Sequence, residues 1–151
     1  MRDAYMPDPA FDAWRDGSRE DLLADDEDFQ AWLSLVRETT ARGVAIRRAR
    51  LFCTPESDYI RWEHFISDAN VSAGEDIRWL SRRNTTGIGF PGNDFWIFDD
   101  SQVLVQHFAG DGTIKPEWRE LTTDPVVLDL CRRSFEAVWE RAVPHADYKT
   151  S

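Results

Sequence analysis

What this sequence has little of narrows it first. Its two cysteines, Cys53 and Cys131, lie far apart without CxxC spacing, so a disulfide framework is not indicated and buried thiols are expected. There is no HExxH, and His64, His107 and Cys53 share no ligand spacing, which removes the common zinc signatures; no metal and no cofactor are expected. No apolar run approaches the about 20 residues that span a bilayer. The opening MRDAYMPDPAFDAW lacks the basic start and apolar stretch of a secretory signal, so a cytoplasmic protein without membrane contact is expected. Walker and GxGxxG loops are missing, and Gly87-Ile88-Gly89-Phe90-Pro91-Gly92 is interrupted by proline where a phosphate cradle needs free backbone N–H groups. No nucleophile elbow surrounds any Ser or Cys.

Excess positive charge is also lacking. Lysine and arginine total 18 against 28 carboxylates, a net charge of −10. The first 30 residues hold ten carboxylates and three arginines, a balance of −7, which leaves −3 for the remainder. Direct nucleic-acid binding needs a phosphate-neutralising surface and is disfavoured. The basic strip at Arg47, Arg48 and Arg50, with Arg82 and Arg83 further on, reads as solvated arginines at strand edges.

What is present is a globular composition: 151 residues, 42% hydrophobic and 13% aromatic, with seven tryptophans that read as core and sheet packing. The pattern divides into an acidic N-terminal arm (1–28) anchored by Phe11 and Trp14, one α/β domain (29–148) and a short tail (149–151). Phe29, Trp32, Leu33 and Val36 recur at helical spacing between Glu27 and Arg42, with Asp25 and Asp26 as caps and Gly43 at the end. Val44–Cys53 reads as a strand. Thr54-Pro55-Glu56 places a cap, a proline and an acid for a helix running to about Asn70, with Tyr59, Trp62, Ile66 and Ala69 on its apolar face. After Gly74, Glu75–Leu80 is a second strand, which makes a parallel βαβ unit. A loop over Ser81–Gly92 leads to the apolar strand Phe95–Phe98, a tight turn at Asp99-Asp100-Ser101, and a returning strand over Gln102–Phe108. A further turn region precedes a C-terminal helix opened by Asp124-Pro125, with Val127, Leu130, Cys131, Ser134, Phe135 and Val138 as its stripe. The expected fold is therefore α/β: a single mixed sheet, a parallel pair joined to a hairpin, flanked by helices.

Two polar constellations stand out. Glu75 and Asp76 open one strand, Asn93 and Asp94 the next, Asp99 and Asp100 end it, and His107 lies on its return. Ends of strands in open α/β sheets are common ligand sites. Glu75, Asp94, Asp100 and His107 form a candidate acid–base set; with Asn93, Arg78, Tyr59 and Arg61 they form a candidate polar-ligand site. The competing explanation is that the acids cap turns while His107 is packed. On the second helix Arg61, His64 and Asp68 share a flank, which fits an exposed ion-pair row as well as a binding face.

The stretches TPESDYIRWEHFISDANVSAGEDIRWLSRR and FPGNDFWIFDDSQVLVQHFAGDG resemble an uncharacterised actinobacterial family, domain of unknown function 6879, over about Phe29 to Tyr148. Its members look like small cytoplasmic proteins often encoded beside helix-turn-helix regulators. More distantly, the order of elements resembles half of a phospholipase D-like domain. In that superfamily the apolar strand carries a nucleophilic His and, two residues on, a phosphate-binding Lys. Aligned on Asp100, those positions here are Asn93 and Phe95, which implies a catalytically inert version.

The expectation is a non-catalytic ligand-sensing or protein-interaction module, with a DNA-binding regulator as its protein partner. A small enzyme using Glu75, Asp94, Asp100 or His107 is the alternative, and a toxin or antitoxin partner a third. Exposed aromatics such as Trp118 and Trp139 are candidates for a homodimer surface.

Overall fold

Capping chemistry sets most element boundaries. The structure, a computed structural model, describes residues 8–19, 22–109, 113–114 and 116–150. Asp8 accepts from the amides of Ala10 and Phe11 and opens α1 (Pro9–Arg15). Asp26 caps α2 (Glu27–Ala41) through the Phe29 amide. Strand β1 (Ile46–Phe52) follows, then α3 (Asp58–Ala73) and β2 (Glu75–Ser81). The cap of α3 is Ser57, not Thr54, so the helix starts beyond the Thr54-Pro55-Glu56 triplet expected to open it. Thr54 instead shares a hydroxyl hydrogen bond of 2.7 Å with Ser81, tying the ends of β1 and β2 together. Gly74 ends α3 at φ 117°, and a Cβ there would stand 2.7 Å from Thr40 Oγ1, so glycine is required twice over.

Beyond a single 3₁₀ turn at Arg82–Asn84 come β3 (Asp94–Phe98), β4 (Gln102–Gln106), β5 (Arg119–Thr122), α4 (Pro125–Trp139) and β6 (Val143–Pro144). The α/β class, the parallel βαβ unit and the hairpin are as the sequence implied. β1 and β2 pair in parallel, Ile46 opposite Glu75 through Phe52 opposite Ser81. β3 and β4 pair antiparallel around Asp99 and Asp100, whose φ values of 48° and 52° suit a tight primed turn.

The strands do not form one sheet. They form two of three strands each, ordered β1-β2-β6 and β3-β4-β5. β5 follows the expected turn region and does not read as a strand in the sequence, because its residues Arg119, Glu120 and Leu121 are exposed and carry no alternating apolar signal. Helices α2 and α3 pack together with α3 against β2, while α4 touches β1, β3 and β4 and so spans both sheets.

The core follows this layering. Phe52, Ile60, Ile77 and Trp79 fill the space under α3, and Leu51, Leu80, Val138 and Ala142 lie beside α4. Trp62 and Trp79 are essentially inaccessible and each removes on the order of 150–250 Å² from water. The buried face of α3 is Ile60, Glu63, Ser67 and Asn70 with Trp62, rather than the Tyr59, Trp62, Ile66, Ala69 stripe. Hydrophobicity alone misplaced it because half of the true face is polar. Trp139, expected at the surface, is 8% exposed, and Trp118 is half-buried against Phe108. Among the described residues no helix is long and apolar enough to cross a membrane.

Candidate functional site

A cleft of about 390 Å³ lies where the two sheets approach each other over α4. Its lining contains consecutive residues from two strands: Arg47 to Leu51 of β1, and Gly92 to Trp96 at the start of β3. Side chains alternate between the faces of a strand, so a pocket on a sheet face touches every second residue. Contact with consecutive residues means that the cleft meets the strand edges. Both strands are terminal in their sheets, with β1 paired only to β2 and β3 only to β4 among the described residues. Ser134, Phe135 and Val138 of α4 complete the cleft, with Phe90 and Phe108 contributing further apolar wall.

Four arginines line it: Arg47, Arg48, Arg50 and Arg82. Arg48 stands between two indoles, 5.5 Å from the Trp32 ring and 5.4 Å from the Trp96 ring, and so joins α2, β1 and β3. Its Nε and Nη2 face Glu75 at 2.8 and 2.9 Å. Glu75 is fully enclosed, and its Oε1 also accepts from Trp32 Nε1 and Asn70 Nδ2. Arg50 pairs with Glu63, which also accepts from the Tyr59 hydroxyl. Burial and the neighbouring Arg50 charge lower the Arg48 pKa to about 10, against the opposing pull of Glu75 and Glu63. Burial, reinforced by Glu63, pushes the Tyr59 phenol well above its ordinary value. Arg47, by contrast, is exposed: it pairs with Glu136 at 2.8 Å and lies over Phe135 and Trp139.

The residues singled out in the sequence are dispersed. Asn93 and Asp94 line the cleft, while Glu75 lies behind Arg48. Asp100 sits exposed in the hairpin turn. His107 pairs with exposed Glu120 at 2.9 Å. Arg61 pairs with Asp58 at 2.8 Å on the surface, Arg78 lies 4.2 Å over Trp139, and Tyr59 serves Glu63. The structure thus brings Asn93 and Asp94 to one site and holds Glu75 one layer beneath it.

Arg48 and Arg50, read as solvated edge residues, are the main correction. Arg50 is 9% exposed, and Arg48 is enclosed by rings and a carboxylate. The signal was present: two charges at alternate positions of a strand that must pack against helices need buried carboxylates, and Glu63 and Glu75 were available.

A second polar cluster lies under α3. His145 is buried, and its Nε2 meets Asp68 at 2.8 Å, while Trp79 Nε1 meets its Nδ1 at 3.0 Å. The His64 ring stacks on it at 4.4 Å, and burial, then the adjoining His145, lowers the His64 pKa. Among the described residues no group of three His, Cys, Asp or Glu is placed to hold a metal ion.

The family model described as domain of unknown function (DUF6879) matches residues 1–150. This chain belongs to that family. No curated protein and no solved structure matches it. Membership in the DUF6879 family supplies no activity, so the chemistry of this member rests on the cleft.

Proposed function

We propose that this chain is a non-catalytic binding module that holds an anionic group, from a ligand or a protein partner, in its arginine-lined cleft. The observation that carries this reading is the composition of the cleft wall, where Arg47, Arg48, Arg50 and Arg82 meet the rings of Phe95, Trp96, Phe108 and Phe135. Its volume of about 390 Å³ is in the range of small-ligand sites. Acid–base catalysis needs its groups within reach of one substrate. Glu75 is consumed by three donors, Asp100 lies in a turn and His107 is tied to Glu120, which favours binding over turnover.

In the same proposal the module acts in the cytoplasm beside a helix-turn-helix transcription regulator, which supplies the DNA-facing basic surface that a chain of net charge −10 lacks. A phospholipase D-like ancestry fits the same picture. Asn93 and Phe95, the positions where that superfamily carries its His and Lys, both line the cleft, and neither supplies a nucleophile or a phosphate-binding cation.

Calorimetric titration of the full chain with inorganic phosphate, glutamate and acidic peptides tests the reading. Saturable binding of at least one probe, lost in Arg47→Glu, is expected. Turnover of a substrate that disappears in Asp94→Ala, without such binding, would overturn it in favour of an enzyme.

A further inference from the structure

The cleft is bounded by two strand edges, and that geometry says more about its occupant than the arginines do. β1 and β3 each lack a neighbouring strand on the side facing the cleft, among the described residues. An unpaired edge presents alternating backbone donors and acceptors, the template onto which another strand adds. The five residues Arg47–Leu51 present about 13 Å of such edge at about 3.3 Å per residue. The Arg48–Trp96 contact at 5.4 Å spans the gap on the α2 side, while α4 forms the wall opposite. The gap is thus bounded above and below, as the space between two layers of a sheet protein is.

Charge then selects the occupant. Four arginines and one carboxylate, Asp94, line the cleft; Arg48 and Arg50 are held by Glu75 and Glu63, so the exposed cation of this edge is Arg47. The ion pair of Arg47 with Glu136 is exposed on both sides and contributes little by itself, so a carboxylate from outside can replace Glu136 at small expense. Glu75 already takes bonds from Trp32, Asn70 and Arg48, and burial beside Arg50 still disfavours the Arg48 cation. A further anion near Arg48 would relieve that imbalance. A small free anion would meet the arginines but leave both backbone edges unpaired.

We propose that the occupant of this cleft is an acidic, extended segment of a protein partner, which adds as a strand between β1 and β3 and joins the two sheets into one. Its carboxylates face Arg47, and its apolar side chains lie against Phe135 and Val138. This inference rests on the reading of the cleft as an anion-binding site, and it narrows that reading to a polypeptide.

The test pans a displayed library of random peptides of about ten residues, the upper end of natural strand length, against the full chain. Selected peptides are expected to be rich in Asp and Glu. Methylating alternate backbone amides of a selected peptide should weaken it roughly tenfold, since it removes donors while keeping every charge. Binding should slow amide exchange at alternate residues of 47–51 and 92–96. Arg47→Glu should weaken binding by roughly tenfold as well, and its exposed position leaves the fold intact. Peptides that bind equally well after methylation, or that protect no amide of β1 or β3, overturn the strand-addition model. If inorganic phosphate or glutamate binds and no peptide is selected, the inference fails while the anion-binding reading stands. If no probe binds, both fail.

Discussion

Trp79 donates its indole N–H to Nδ1 of His145 over 3.0 Å, and that one bond fixes the protonation pattern of the imidazole. An indole nitrogen is a donor only, so Nδ1 accepts and the neutral ring carries its proton on Nε2, which donates to Asp68 at 2.8 Å. The His–Asp pair resembles a catalytic dyad in composition, yet its basic lone pair is already taken. Replacing Trp79 by Phe should strand a buried acceptor and cost about 1–3 kcal/mol in urea-unfolding stability. The double variant Trp79→Phe with His145→Phe should lose less than the sum of the two single losses.

Glu75 offers a separate test of the layer beneath the cleft. Its side chain is inaccessible to solvent and takes bonds from Trp32, Asn70 and Arg48. Glu75→Leu should cost about 3–5 kcal/mol, because it leaves the Arg48 charge without its partner. Combining it with Arg48→Met should restore part of the loss, measured by the same unfolding curves.

His64 predicts how stability depends on pH. Its folded-state pKa lies below the ordinary value of 6.5 because burial and His145 disfavour the imidazolium. Between the two values the unfolded chain binds the extra proton, so stability rises with pH across that window. The contribution is present above about 6.5 and is lost as pH falls toward the folded value. Melting temperatures recorded from about pH 7 to about pH 5 should fall less steeply for His64→Phe than for the parent.

Asp99 and Asp100 turn the chain between β3 and β4. Both hold positive φ in the β3–β4 turn, where glycine and asparagine sit with less strain. Asp100→Gly should stabilise the chain by at most about 1 kcal/mol and leave binding in the cleft unchanged. A loss of binding would return Asp100 to the site.

The parallel β1–α3–β2 unit was legible because its signals are local: a branched strand, a capped helix, a glycine stop and a second strand. The division into two sheets was not, since strand order depends on pairings between distant segments, and β5 has an exposed, charged sequence. The cleft was half legible. Asn93 and Asp94 were found as polar residues at a strand start. Arg48 and Arg50 looked like surface residues: their alternate spacing on a packed strand calls for buried carboxylates, but a linear reading does not say that Glu75 and Glu63 are the ones that lie opposite. The same blindness misplaced the buried face of α3, where Glu63, Ser67 and Asn70 are interior by virtue of their partners.

Open strand edges also bear on how copies of this chain treat one another. An unpaired edge is an aggregation hazard, and charge along it is a common safeguard. Here Arg47 is the exposed charge on β1, so two such edges brought together would oppose like charges. An Arg47 that drew in an acidic strand would by the same charge oppose the edge of an identical molecule.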